Sequence, residues 1–279
     1  MRASLRHALC DRHGPRAACT ADSAGGLTFD VVLPTEDERW DTALLLRRGG
    51  PAGEDAAVRL PLFPCGAGRL RASLPSTMML AEGSWNAYLA VGEEAPRRLR
   101  SGQHDLRSLL ERDPSGQRAW LGVRIPYATR QSCLALRAWL RWPHAEARYV
   151  RPDPAGLACG GRLYGADLGE TAVLEARRTV PGDPAAPGED VVGVAVAGRG
   201  TDFRCFLPYA AMSGPGEWEL WLRTSAGSPV RLARILDDVA DKHRVLRYPA
   251  QRSGAAAVTP YWSEANDLAL RVTPSPTRA

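Results

Sequence analysis

The chain has 279 residues, and at roughly 150 residues per domain that length accommodates about two domains, each able to bury its own core. Apolar residues make up 44% and charged residues 24%, an ordinary globular balance, and no apolar run approaches the roughly 20 residues that span a bilayer, so a membrane span is excluded. The formal charge is +5; Arg2, Arg6, Arg12 and Arg16 supply much of it, and the remainder lacks the dense basic face of a nucleic-acid binder.

In chain order, residues 1–22 have neither apolar periodicity nor turn chemistry and read as a disordered basic tail. They also lack the apolar stretch of a secretory signal, so the expected location is cytoplasmic. Strands are predicted at 27–33, 42–48, 56–62, 69–74, 85–91, 119–125 and 132–140. HDLRSLLERD at 104–113 places Leu106, Leu109 and Leu110 on one face and predicts a short helix or turn. RWPHAEARYVRPDP at 141–154 is charged and Pro-punctuated and reads as a boundary. A second run of strands follows at 157–163, 171–177, 190–196, 202–207, 218–223, 229–234 and 266–272, with a short helix or turn in RILDDVADKHRVL at 234–246. Residues 275–279 read as a tail.

The two runs align on each other. Leu74-Pro75 matches Leu207-Pro208 at an offset of 133, and Gly83-Ser84-Trp85, Tyr88-Leu89 and Arg98-Leu99 match Gly216-Glu217-Trp218, Trp221-Leu222 and Arg231-Leu232 without a gap. One residue later in register, Leu134-Ala135-Leu136-Arg137 is identical to Leu268-Ala269-Leu270-Arg271, and TALLLRR resembles TAVLEARR upstream. The expected fold is therefore all-β, two tandem immunoglobulin-like β-sandwich domains at 23–143 and 144–274 related by an internal repeat of about 133 residues. A parallel α/β fold would need a helix between most strands, and neither a GxGxxG nor a P-loop string occurs; no cofactor is expected.

The sharpest motif is G-x-W-x-x-(Tyr/Trp)-L. Side chains two apart share one face of a strand, so Trp85 and Trp218 point to a core. Tyr88 and Trp221 then point outward, where they either stack on a sugar ring or make ordinary cross-strand pairs. Asp237, Asp238, Asp241 and His243 form the densest set of titratable groups and are the candidate acids, bases or ligands of a catalytic site. Their spacing fits no metal motif, no metal site is expected, and a solvated turn neutralised by Arg231, Arg234 and Arg244 is the simpler reading. Trp139, Trp142, His144 and Trp262 flank the boundary and could line a cleft that binds a ligand. The six cysteines form no C-x-x-C pair and read as buried free thiols.

The string GEWELWLRTSAGSPVRLARILDDVADKHRVLRYP, followed by VTPYWSEANDLALRV, resembles a module of actinobacterial glycosyltransferases and glycerophosphotransferases of cell-surface polysaccharides. There it is a β-sandwich appendage beside the catalytic domain, and SWNAYL and RIPYATRQSCLALR extend the likeness to the first unit. Among 36 basic residues only Lys242 is a lysine, which suits the GC-rich coding of actinobacteria. The resemblance implies a saccharide context without the family's catalytic domain. The leading expectation is a non-catalytic tandem β-sandwich that binds or scaffolds in saccharide or polysaccharide biosynthesis, its partner a saccharide, a small-molecule ligand or a partner transferase. The alternative is a stand-alone enzyme of actinobacterial specialised metabolism with a cleft between the sandwiches; a third is structural association into a homo-oligomer.

Overall fold

The computed structural model describes residues 10–33, 41–49, 56–112, 114, 120–179, 190–225 and 227–275. They are nearly all β. The first half runs β1 (Arg16–Ala21), β2 (Leu27–Val32), β3 (Thr42–Arg48), β4 (Ala57–Pro61), β5 (Phe63–Pro64), β6 (Arg69–Leu74), β7 (Gly83–Val91), β8 (Arg97–Arg98) and β9 (Arg100–Asp105). Helix α1 (Arg107–Leu110), β10 (Leu121–Ala128) and β11 (Leu134–Arg141) complete it. The second half runs β12 (His144–Asp153), β13 (Gly156–Tyr164), β14 (Val173–Thr179), β15 (Val191–Ala195), β16 (Ala197–Arg199), β17 (Asp202–Pro208), β18 (Gly216–Arg223) and β19 (Val230–Ala233). It closes with helix α2 (Lys242–Val245), β20 (Gln251–Ser253), β21 (Ala256–Trp262) and β22 (Leu268–Pro274).

Two compact units emerge: Met1–Asp113 with Gly122–Leu140 and Leu236–Ala240, and Pro114–Leu121 with Arg141–Ile235 and Asp241–Ala279. Unit 1 holds two sheets, β5-β6-β2-β1-β9 and β10-β11-β7-β3-β4, with β8 also paired to β7 at Tyr88 and Leu89. Alternation of small and large apolar residues makes its core: Ala17, Cys19 and Ala21 on β1, Leu70, Ala72 and Leu74 on β6, Trp85, Ala87 and Leu89 on β7. One charge is buried among them. Arg124 is 2% exposed, and its guanidinium donates to the carbonyls of Pro75 at 2.9 Å, Ser76 at 3.3 Å and Met78, so the cost of burying the cation is offset by backbone acceptors.

In unit 2 one continuous sheet path runs β16-β17-β13-β12-β19-β18-β22-β21-β20, with β14 on β18 and β15 on β14. Leu157, Leu163 and Leu207 from one part of it and Trp218, Leu220, Leu222 and Leu270 from the other belong to one buried cluster. Gly161 permits the tight pairing of β12 and β13, because a Cβ there would lie 1.8 Å from the carbonyl oxygen of Glu146.

The central strands have matching neighbours. Trp85 of β7 is registered with Arg48 of β3 and Leu136 of β11, and Trp218 of β18 with Arg178 of β14 and Leu270 of β22. Both tryptophans are buried on strands, at 2% and 0% exposure.

Several expectations need correction. Residues 16–21 of the expected tail form β1, with Ala17 and Cys19 buried; its small apolar side chains carried little hydrophobic signal. Cys10 is bonded to Cys133 across 123 residues, so not all six cysteines are free thiols. The expected boundary at 141–154 contains β12, ten residues long, which pairs with β13 antiparallel and β19 in parallel. The two expected helices shrink to four residues each. Residues 1–9 and 276–279 of the expected tails lie outside the described residues.

Trp218→Ala is expected to destabilise the protein by about 3–5 kcal/mol through the cavity it leaves, whereas Trp221→Ala, three residues on and half-buried, costs far less; urea unfolding of both variants checks this. Cys133→Ser is expected to lower stability by about 2–4 kcal/mol by freeing a long loop in the unfolded chain, seen as a lower Tm that a reductant reproduces in the parent protein.

Candidate binding face on the second unit

The outward residues of β18 are Glu217, Glu219 and Trp221, because Trp218, Leu220 and Leu222 are turned to the core. Trp221 is registered with Glu175 of β14 on one side and Arg231 of β19 on the other. The Arg177 guanidinium lies 4.9 Å and that of Arg231 4.8 Å from the indole centroid, so strands on either side of β18 each send a cation to the ring. The indole N–H donates to Glu219 at 3.1 Å, which fixes the ring's tilt.

Carboxylates knit the arginines together. Arg231 bonds Glu219 at 2.5 Å and Asp267 at 3.1 Å, and Asp267 also accepts from Arg141 at 2.6 Å. Glu175, 8% exposed, accepts from Arg177 at 2.7 Å and from Arg223. Burial pushes the Glu175 carboxyl up, but the hydrogen bonds from Arg223 and Arg177 together bring it below its ordinary value. Glu217 is held low by its 2.8 Å hydrogen bond from Arg271 and further by Tyr261. The Tyr261 phenol is pushed well up, first by burial and then by Glu217, so it remains a neutral donor. Between β18, β21 and β22 these groups line a pocket with Thr179, Glu217, Glu219, Arg231, Tyr261 and Ser263 at its wall. The wall thus sets carboxylates, hydroxyls and a guanidinium beside the half-buried Tyr261 ring.

On β7 of unit 1 an outward ring is again flanked by two arginines. Tyr88 of β7 is registered with Leu45 and Arg98, and the guanidiniums of Arg47 and Arg98 lie 5.7 Å and 5.0 Å from its ring. Leu45 holds the place that Glu175 takes beside Trp221. Ser84 holds the place of Glu217, registered with Arg137 as Glu217 is with Arg271. The Ser84 hydroxyl meets the Tyr127 hydroxyl at 3.1 Å.

The other sequence-derived candidates are dispersed. His144 is fully buried, 2.8 Å from Glu146 through Nε2 and stacked on Tyr164 with ring centroids 6.4 Å apart. Trp262 is 1% exposed within the buried cluster, and Trp142 packs over Gly165, whose Cβ would lie 2.3 Å from the indole. Asp237 and Asp238 fall in unit 1, and Asp241 and His243 in unit 2. Asp237 accepts from the Val239 N–H at 3.0 Å as in a local turn. Asp241 lies 4.0 Å from His243 and 3.8 Å from Arg244, while Arg231, expected here, is engaged at Glu219 and Asp267. Among the described residues no three His, Cys, Asp or Glu side chains converge as a metal site. The acids of the β18 face were missed although the aligned strings carried a signal: Leu45 faces Glu175 in TALLLRR against TAVLEARR.

Acid should loosen this face. Glu217 and Glu175 sit below their ordinary value of 4.5 in the folded chain, so their contribution is present above that value and is lost as pH falls through their folded values. Urea midpoints are expected to hold steady down to about pH 5 and then decline; Arg271→Gln flattens that decline, and an unchanged acid slope would show that the Glu217–Arg271 pair contributes nothing.

No protein-family model and no curated protein sequence matches the chain. Solved structures similar to it include a 217–571 fragment of TarS from Staphylococcus aureus at 13% identity and a TM-score of 0.30, covering 77% of this chain and 61% of that one. The S. aureus TarS structure is similar at the same identity and TM-score, with 77% of this chain and 39% of that chain covered. The chain thus spans less than two thirds of either, and these neighbours are staphylococcal where an actinobacterial family was expected. A likeness at that level carries no activity across.

Proposed function

We propose that the protein is a non-catalytic tandem β-sandwich of saccharide biosynthesis whose second unit binds a saccharide chain or intermediate on the outer face of β18. The observation that carries this reading is Trp221 held by Arg177 and Arg231 and bonded to Glu219, with Glu217 and the neutral Tyr261 further along the same sheet. A pyranose offers an apolar C–H face and an equatorial rim of hydroxyls. An aromatic ring with carboxylate and guanidinium groups around its edge answers both. Preoriented groups of this kind lose little entropy on binding. A partner transferase that supplies or consumes the bound chain is the companion such a module would have.

Duplication of one immunoglobulin-like sandwich, in domains at 23–143 and 144–274, is part of the same reading. The support is the pairing: Arg16 with Val32 and Glu146 with Arg162, Leu27 with Leu74 and Leu157 with Leu207, Tyr88 with Arg98 and Trp221 with Arg231. A duplicate that keeps its registers and acquires acids on one face is a copy that has gained a ligand. The Cys10–Cys133 bond supports an oxidising compartment rather than the expected cytoplasm. No helix of the described residues is long and apolar enough to cross a membrane.

Calorimetric titration of the full chain with neutral and anionic oligosaccharides tests the proposal. Binding is expected, and Trp221→Ala or Glu219→Gln is expected to weaken it by at least about tenfold, some 1.4 kcal/mol, while Tyr88→Ala leaves it within a factor of about two. No heat with any oligosaccharide, or equal loss from Tyr88→Ala, overturns the assignment to the β18 face.

A further inference from the structure

Away from this face, Cys159 of β13 and Cys205 of β17 stand directly opposite each other in an antiparallel pair. Their sulfurs are 3.3 Å apart. Opposed residues of antiparallel strands have Cα atoms about 4.5–5.5 Å apart, inside the roughly 4.4–6.8 Å span of a disulfide. The side chains point the same way as Leu157 and Leu207, two pairs along the ladder and both fully buried. Cys159 is fully buried and Cys205 half-buried, so Cys205 is the more accessible of the two residues. The remaining free thiols differ: Cys19 is buried, and Cys65 lies against the Arg69 carbonyl at 3.4 Å.

We propose that Cys159 and Cys205 are a redox-active dithiol that takes a low-molecular-weight disulfide as its oxidant and closes to a cross-strand disulfide. The Cys205 thiolate attacks one sulfur of the oxidant; the oxidant's S–S bond breaks, a Cys205 mixed disulfide forms, and one thiolate leaves and takes up a proton. Cys159 then attacks the Cys205 sulfur, its own proton passing to solvent. The mixed disulfide breaks, the Cys159–Cys205 bond forms and the second small thiol departs. Two protein thiols are oxidised by two electrons and one small disulfide is reduced to two thiols. Order follows from access: the hydrogen bond with Cys205 and burial raise the Cys159 thiol well above its ordinary value, which suits a resolving sulfur rather than an attacking one.

The full chain is equilibrated with oxidised and reduced glutathione at graded ratios, acid-quenched, alkylated and mapped by mass spectrometry. The expected result is the concerted loss of two alkylatable thiols and a linked peptide joining Cys159 to Cys205, with Cys19 and Cys65 still alkylated after denaturation. Cys159→Ser is expected to trap glutathione on Cys205. Alkylation of both Cys159 and Cys205 at ratios where Cys10–Cys133 stays oxidised overturns the proposal, as does a persistent mixed disulfide in the parent chain. Should Cys159→Ser fail to fold by circular dichroism, the map of the parent chain decides alone.

Discussion

The period-two alternation of β18 is the constraint on which the second unit depends. Trp218, Leu220 and Leu222 are committed inward, and Glu217, Glu219 and Trp221 therefore have no choice but to face out. A slip of one residue would bury two carboxylates and expose Trp218, one of the largest side chains of the core. The turn glycine Gly216, at φ 149°, fixes where the alternation starts. The same alternation along β7, opened by Gly83 at φ 138°, places Trp85 in and Tyr88 out.

On that frame, Arg231 acts as the hub of the outer face. It contacts Trp221, Glu219 and Asp267, and Asp267 passes the connection to Arg141. Exposed ion pairs taken singly contribute little. Shared arginines change the balance, since a side chain already immobilised by one partner gives up less freedom to meet the next. In unit 1 the Arg47 and Arg98 contacts to Tyr88 stand with Leu45 in place of a carboxylate beside the ring.

Strands with strong apolar alternation and Gly or Pro punctuation were legible in the sequence: β2, β3, β6, β7, β13, β17, β18 and β22 stand where the pattern put them. β1, β9 and β12 were not. RAACTA buries only Ala and Cys, RSGQHD has no apolar residue, and HAEARYVRPD buries its first four residues and exposes much of the rest. Backbone pairing with neighbours already in place holds these segments, and such pairing leaves no periodic trace. The site was half legible. Trp221 was named, and Glu217 and Glu219 share its strand, but Glu175, Arg177 and Arg231 sit on neighbouring strands and only the register assembles them.

One further feature sets the units apart. β19 pairs with two strands in succession, Val230 and Arg231 with β18 and Leu232 and Ala233 with β12, whereas unit 1 divides that task between β8 on β7 and β9 on β1. Unit 1 ties its sheets by an isolated bridge between Arg100 and Cys133; under mechanical tension a strand woven into both sheets must break its own backbone bonds before they can slide. The second unit thus has a built-in selvedge, and Arg231 of the outer face is part of it.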